Sequence, residues 1–190
     1  LTVMPWADIR REGAGFFKDL LISAPAAQRL NRAARAGGIA HVHVHSCGRA
    51  ALIAALAKRM GGPGYSLTLH GGIEDYGGGQ RYKWRHADFT MVVTQALLPE
   101  LRDALGPDMP DRVVTAPMGV ETEVLKRALP YEPAELGNPV RLFTCARLNV
   151  FKGHQDLIRA TRVLIDEGLD LHLEIAGEDD DGGNGYRRAL

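Results

Sequence analysis

Only two cysteines, Cys47 and Cys145, occur in 190 residues, each in or beside a stretch that reads as a strand. That is too few for a disulfide-stapled scaffold, and two buried thiols in a reducing compartment are expected rather than a bridge. Net charge is absent as well. The 23 Lys and Arg residues balance 23 Asp and Glu, so no global field draws the chain to nucleic acid or to an anionic membrane. No apolar run approaches the roughly 20 residues of a membrane span, and the opening residues lack the pattern of a signal peptide. The expected location is therefore the cytoplasm. Internal repeats and low-complexity tracts are missing too. What remains is an ordinary globular composition, 45% hydrophobic and 24% charged, in a length that suits one or two domains.

Within that composition, strands and helices alternate. A polar helix rich in Ala and Arg, from about Ala24 to Arg35, leads into a strand at 39–45. A helix follows from Arg49 to Met60, with Leu52, Ile53, Leu56 and Met60 on one face and Gly61-Gly-Pro-Gly64 as its stop. A strand at 65–69 runs into the loop His70-Gly71-Gly72, and another strand lies at 89–93. The next helix carries Leu97, Leu98, Leu101 and Leu105, and Pro99 makes it start late because proline is tolerated only in the first turn. A short strand at 112–115 precedes Ala116-Pro-Met-Gly119. The segment from Pro130 to Pro139 has three prolines and no periodicity, and reads as a linker. Beyond it come a strand at 140–145, a helix from His154 to Glu167 stopped by Gly168, and a strand at 169–176. Such alternation predicts an α/β fold of parallel sheets covered by helices.

The loop between the strand at 140–145 and the helix at 154 holds the sharpest chemical signal. It reads Arg147-Leu-Asn-Val-Phe-Lys152-Gly153. Ligands of open α/β sheets bind beside the carboxyl ends of strands, and the amide end of a helix attracts anions. Arg supplies a planar fork and Lys a compact point charge, a pair suited to the two phosphates of a diphosphate. Solvated surface charges are the plainer alternative for these two residues.

Other candidates are weaker. His41-Val-His-Val-His45 puts three imidazoles on one face of a strand, because side chains repeat every two residues. Cys47 would extend the row, a conceivable zinc or copper set. No acidic or His partner follows at metal spacing, so no metal site is expected. The run Gly77-Gly-Gly79 sits away from a strand–helix junction and reads as a flexible loop. The acidic run Glu178-Asp-Asp-Asp181 reads as a solvated loop.

Taken together, these landmarks resemble the family 4 glycosyltransferases of GT-B architecture. They are the His-rich strand, Thr68-Leu-His70-Gly71, Ala87-Asp-Phe-Thr-Met-Val-Val-Thr94, Ala116-Pro-Met-Gly-Val120, Ala146-Arg-Leu with Lys152-Gly, and Ile175-Ala-Gly177. The resemblance implies two Rossmann-like domains facing each other across a cleft. It also implies a retaining transfer of sugar from a UDP- or GDP-linked donor to a saccharide or lipid-linked acceptor, in cell-surface polysaccharide or glycolipid synthesis. The donor is then a substrate, and no cofactor or metal is implied. Arg147 and Lys152 match the cations that bind the donor diphosphate. His70 matches the catalytic-centre histidine, with hydrogen bonding to sugar or acceptor as its implied task. His45, Ser46, Gly71 and Gly119 would line the cleft. The partners implied are a nucleotide sugar and a saccharide or polyprenyl-linked acceptor, without nucleic acid and with peripheral association at the inner membrane face as an option. Ala146 and Met118 depart from the family's usual Gly and Asn at those places.

Both ends read as cut. Leu1-Thr-Val-Met4 looks like the close of a strand, and Gly185 to Leu190 like the first turn of a helix. The expected organisation is residues 1–137 as an acceptor-side domain lacking its first strand and Gly-rich loop, and 138–190 as the truncated start of a donor-binding domain, a fragment of a hexosyltransferase-type enzyme that is expected to be inactive alone. About fifty residues after the linker are too few to bury a stable core alone. A noncatalytic remnant that scaffolds a polysaccharide assembly complex is the competing reading, and a sugar-nucleotide epimerase of the same architecture is a third.

Overall fold

The computed structural model describes residues 5–133, 135, 137–180 and 185–190. The strand expected at Leu1–Met4 lies outside the described residues. Two compact units divide the chain, Leu1–Glu121 and Thr122–Leu190. The stretch 122–139, which contains the expected boundary at 137/138, has neither helix nor strand among its described residues.

The first unit begins with two helices, α1 (Trp6–Glu12) and α2 (Ala14–Gly37). Four parallel strands follow, with helices between them: β1 (His41–His45), α3 (Arg49–Arg59), β2 (Gly64–Leu69), α4 (Gln80–Arg85), β3 (Phe89–Val92), α5 (Leu98–Leu105) and β4 (Val113–Thr115). The strands lie in the order β1-β2-β3-β4. The register pairs His41 with Gly64 and Ser66 with Phe89, so β2 and β3 run parallel as the alternation predicts. Because successive parallel strands are neighbours, right-handed crossovers carry α3, α4 and α5 to one face of the sheet. There Ala51, Leu52, Ala55 and Leu56 of α3 pack with Tyr65, Leu67 and Leu69 of β2, Trp84 of α4 and Leu101 and Leu105 of α5. The other face of β1 carries His41, His43 and His45, all exposed.

Two differences from the sequence reading have clear causes. The first helical stretch starts at Ala14 rather than near Ala24, and it passes through Pro25. Its early turns are held by burial of Phe16 and Leu20 in the core, which offsets the hydrogen bond that Pro25 cannot donate. The glycine run at 77–79 is exposed at Gly77 and Gly78 but anchored at its last residue. Gly79 is buried, its N–H donates to Glu12 Oε2 at 3.0 Å, and the Phe16 ring lies where a side chain would project.

In the second unit, β5 (Val140–Cys145) and β6 (Leu171–Ala176) pair in parallel, joined by α6 (His154–Asp166). A short helix, α7 (Tyr186–Ala189), falls within the expected turn at 185–190. Burial alternates along β5, which puts Cys145 on the exposed face beside Phe143. The expectation of two buried thiols is therefore corrected: Cys47 is buried and Cys145 exposed, and neither forms a disulfide. Among the described residues no helix is long and apolar enough to cross a membrane.

Candidate active site

In the first unit the carboxyl ends of β1 and β2 bring two sequence-predicted residues into contact. His45 ends β1 and His70 follows the last residue of β2. Their facing nitrogens, His45 Nδ1 and His70 Nε2, are 3.0 Å apart. The ring centroids are 5.2 Å apart and the ring planes 25° from parallel, so the two imidazoles meet edge to edge through these nitrogens. Ser46 has φ = 71°, a left-handed backbone that costs a residue with a Cβ about 1 kcal/mol. Its N–H donates to Thr68 O at 2.9 Å, which ties this turn back to β2. Strain of this kind gathers where geometry is over-determined. Gly71 follows His70 directly, with Asp75 and Tyr76 as the nearest side chains. Gly119 is exposed in the loop after β4, with nothing within 4 Å of the place where a side chain would project.

The remaining histidines of β1 form a polar row with hydroxyls of β2. Ser66 Oγ lies 2.9 Å from His41 Nε2 and 2.7 Å from His43 Nδ1. Thr68 Oγ1 lies 2.8 Å from His43 Nε2. Each His43 nitrogen thus faces a hydroxyl, and its ring meets His45 edge-on at 5.0 Å. Burial, and then the charges of His45, His41 and His70, hold His43 below the usual imidazole range. Among the described residues no group of three or more His, Cys, Asp or Glu side chains could hold a metal ion.

Beneath this edge lies a residue that sequence reasoning missed. Lys83 of α4 is 3% exposed, yet its ammonium donates to Cys47 O at 2.9 Å and Tyr76 O at 3.2 Å. Gln80 Nε2 reaches the same two carbonyls at 3.3 and 3.0 Å. One cation therefore clamps the turn after His45 to the loop after His70. Burial pushes Lys83 down to about 8, partly offset by Cys47, Asp19 and Glu12. Burial also pushes the Cys47 thiol up to about 12, so it is no nucleophile. Glu100 Oε1 accepts from the Ile73 N–H at 2.6 Å and braces the same loop from α5. Nothing in the sequence marks Lys83 as buried, because charged residues in a short helix read as solvent-facing.

In the second unit Arg147 and Lys152 lie in the loop after β5, and Gly153, with φ = 67°, caps the start of α6. Arg147 Nη1 makes a 3.0 Å ion pair with Asp180 Oδ1, and Asn149 Nδ2 donates to the same carboxylate at 2.5 Å. Lys152 is exposed and has no ion pair among the described residues. Asp179 accepts from the N–H groups of Gly185 and Arg187 at the start of α7. The acidic run is therefore engaged at Asp179 and Asp180 rather than simply solvated, and Asp181 lies outside the described residues. A cavity of about 340 Å³ opens between Asn149, Phe151, Asp180 and Tyr186; neither Arg147 nor Lys152 lines it. His154 is buried at the start of α6 with its ring edge-on to Tyr186 at 6.2 Å, and neither ring nitrogen has a partner among the described residues.

Comparison with protein families returns one match of decisive extent. The profile described as Glycosyltransferase Family 4 matches residues 6–124. The chain belongs to Glycosyltransferase Family 4. That assignment gives it a glycosyltransferase-type function at the level of the family, and the parallel sheets agree with a Rossmann-like GT-B chain. The family match takes in His45, Ser46, His70, Lys83 and Gly119, whereas Arg147 and Lys152 lie beyond it. A search of curated proteins gave no match.

Proposed function

We propose that this family 4 chain serves a glycosyltransferase that moves a sugar from a UDP- or GDP-linked donor to a saccharide or lipid-linked acceptor, with retention, in cell-surface polysaccharide or glycolipid synthesis. The observation that carries this reading is the imidazole pair at the carboxyl edge of the family-matched sheet, where α/β sheets place their ligands. In this reading His70 hydrogen-bonds the transferred sugar or the acceptor hydroxyl. Arg147 and Lys152 meet the donor diphosphate, whose negative charge grows as the glycosidic bond breaks; oriented cations act most strongly on such developing charge. The Arg147–Asp180 pair does not oppose this role. Its Arg side chain is 72% exposed, and an exposed pair is worth about 1 kcal/mol or less, so a diphosphate can displace it. We place the activity in the cytoplasm, where two unbridged thiols persist.

The test is calorimetric titration of UDP and GDP against a transfer-competent enzyme, with sugar transfer from UDP- and GDP-linked donors followed in parallel. Arg147→Ala and Lys152→Ala are expected to weaken nucleotide binding and slow transfer. His70→Ala is expected to slow transfer while leaving nucleotide affinity nearly intact. Unchanged binding and transfer in the first two variants would remove the diphosphate role.

A further inference from the structure

We propose that His45 is the positioning residue of His70, fixing its ring orientation and coupling the His70 tautomer to its own through one imidazole-to-imidazole hydrogen bond. As a statement about catalysis this rests on the function proposed above for His70; as a statement about the pair it rests on geometry alone.

The His45 Nδ1 to His70 Nε2 separation of 3.0 Å is that of a hydrogen bond. Two neutral imidazoles can make such a bond only if one facing nitrogen carries hydrogen and the other offers its lone pair. The contact therefore excludes half of the tautomer combinations open to two separate rings. It also engages His70 through Nε2, and among the described residues His70 Nδ1 has no hydrogen-bond partner. Nδ1 is then the atom of His70 that meets a ligand, as donor or acceptor according to which facing nitrogen holds the hydrogen. The two rings make that choice jointly, because each His70 tautomer pairs with only one His45 tautomer.

The surroundings fix His45 in turn. The His43 ring abuts it edge-on at 5.0 Å. The left-handed turn at Ser46 and its bond to Thr68 O hold the end of β1 in register with β2. The ammonium of Lys83 anchors the Cys47 carbonyl two residues on. His45 is thus built into a frame, whereas an unconstrained exposed histidine would rotate among its rotamers.

The experiment reads the pair directly. The ¹⁵N-labelled chain is studied by long-range ¹H–¹⁵N NMR at a pH where imidazoles are neutral, so that the ring-nitrogen shifts report each tautomer. Three variants are compared with the unmodified chain. His45→Phe keeps a ring and removes the nitrogens, His45→Asn restores a polar atom at the place of Nδ1, and His70→Phe removes the partner. His45→Phe uncouples the His70 tautomer from the preference of a second ring and is expected to shift the His70 tautomer ratio severalfold, and His45→Asn, whose amide can again pair with Nε2, to shift it back toward the native value. His70→Phe should move the His45 ratio by a similar factor. If the His70 ratio is the same in His45→Phe as in the unmodified chain, the proposal is overturned, and equally if His45→Asn gives no recovery beyond His45→Phe. In a transfer-competent enzyme, unchanged transfer by His70→Ala would instead overturn the catalytic reading of His70, and the tautomer ratios would still decide the pair.

Discussion

Replacing Lys83 by Met separates the cost of a buried charge from the worth of its hydrogen bonds. The drop of Lys83 from 10.5 to about 8 amounts to about 3 kcal/mol by which the fold disfavours the charged form relative to the unfolded chain. Below pH 8 the lysine is charged in both states, and the fold bears that cost in full. Between 8 and 10.5 the unfolded chain keeps its proton while the folded chain has lost it, so stability rises with pH. Met keeps most of the volume and carries no charge. It leaves the Cys47 and Tyr76 carbonyls to Gln80 at 3.3 and 3.0 Å, which limits the lost hydrogen bonding to about 2 kcal/mol. Lys83→Met should therefore be more stable than the native chain by about 1 kcal/mol below pH 8 and less stable by about 2 kcal/mol above 10.5. Urea denaturation followed by the fluorescence of the buried Trp84, at several pH values across this interval, measures the difference. A stability difference that does not change with pH would refute the account of Lys83 as a desolvated cation. Even where the variant is more stable, the turn after His45 should be looser, and the order imposed on His70 weaker.

Each remaining prediction isolates one interaction. In a transfer-competent enzyme, Arg147→Ala and Lys152→Ala should each raise the barrier by about 2–4 kcal/mol, read from kcat/KM, as for other oriented electrostatic stabilisers. His86 is pushed down to about 4 by burial and by Arg85 and Arg59. The unfolded chain therefore takes up its proton first, and stability should fall by up to about 3 kcal/mol as pH drops from 6.5 toward 4; acid denaturation of His86→Phe should lack that part of the decline. Gly79→Ala would place a Cβ 2.2 Å from the Phe16 ring at φ = 71°, for an expected loss of about 3 kcal/mol from overpacking and left-handed strain together. Gly77→Ala, at φ = 72° in open space, should lose only about 1 kcal/mol by thermal melting; equal losses at the two sites would contradict the Phe16 contact.

The alternation of strands and helices was legible because its periods of 2.0 and 3.6 residues are written into Val42, Val44, Leu67 and Leu69 on one side and Leu52, Ile53, Leu56 and Leu101 on the other. The missed elements lacked a period of their own. Helix α4 spans six residues, four of them polar or charged, and folds because Tyr82 and Trp84 find a core built by distant parts of the chain. The start of α2 was hidden by Pro25, which local propensity reads as a boundary and Phe16 and Leu20 override. At the site, the adjacency of His45 and His70 depends on a strand register that no local pattern reports. Asp180 comes to Arg147 from thirty-three positions away, by way of the pairing of β5 with β6.

The hydroxyls of Ser66 and Thr68 impose a rule on the row of imidazoles beside them. Ser66 Oγ has one hydrogen and two imidazole nitrogens within reach, so when both rings are neutral it gives that hydrogen to one and takes one from the other. If it gives to His43 Nδ1, then His43 Nε2 carries hydrogen toward Thr68 and His41 Nε2 carries hydrogen toward Ser66. If it gives to His41, every bond in the row reverses. The row thus obeys the same constraint as water molecules in ice, with one hydrogen per link and a common direction, and it has two ordered arrangements rather than eight independent ones. An extra proton on His43 turns both its nitrogens into donors, so the two directions diverge from that ring: the links through Ser66 to His41 run one way and the link to Thr68 the other, and whichever arrangement preceded it, only one side of the row reverses.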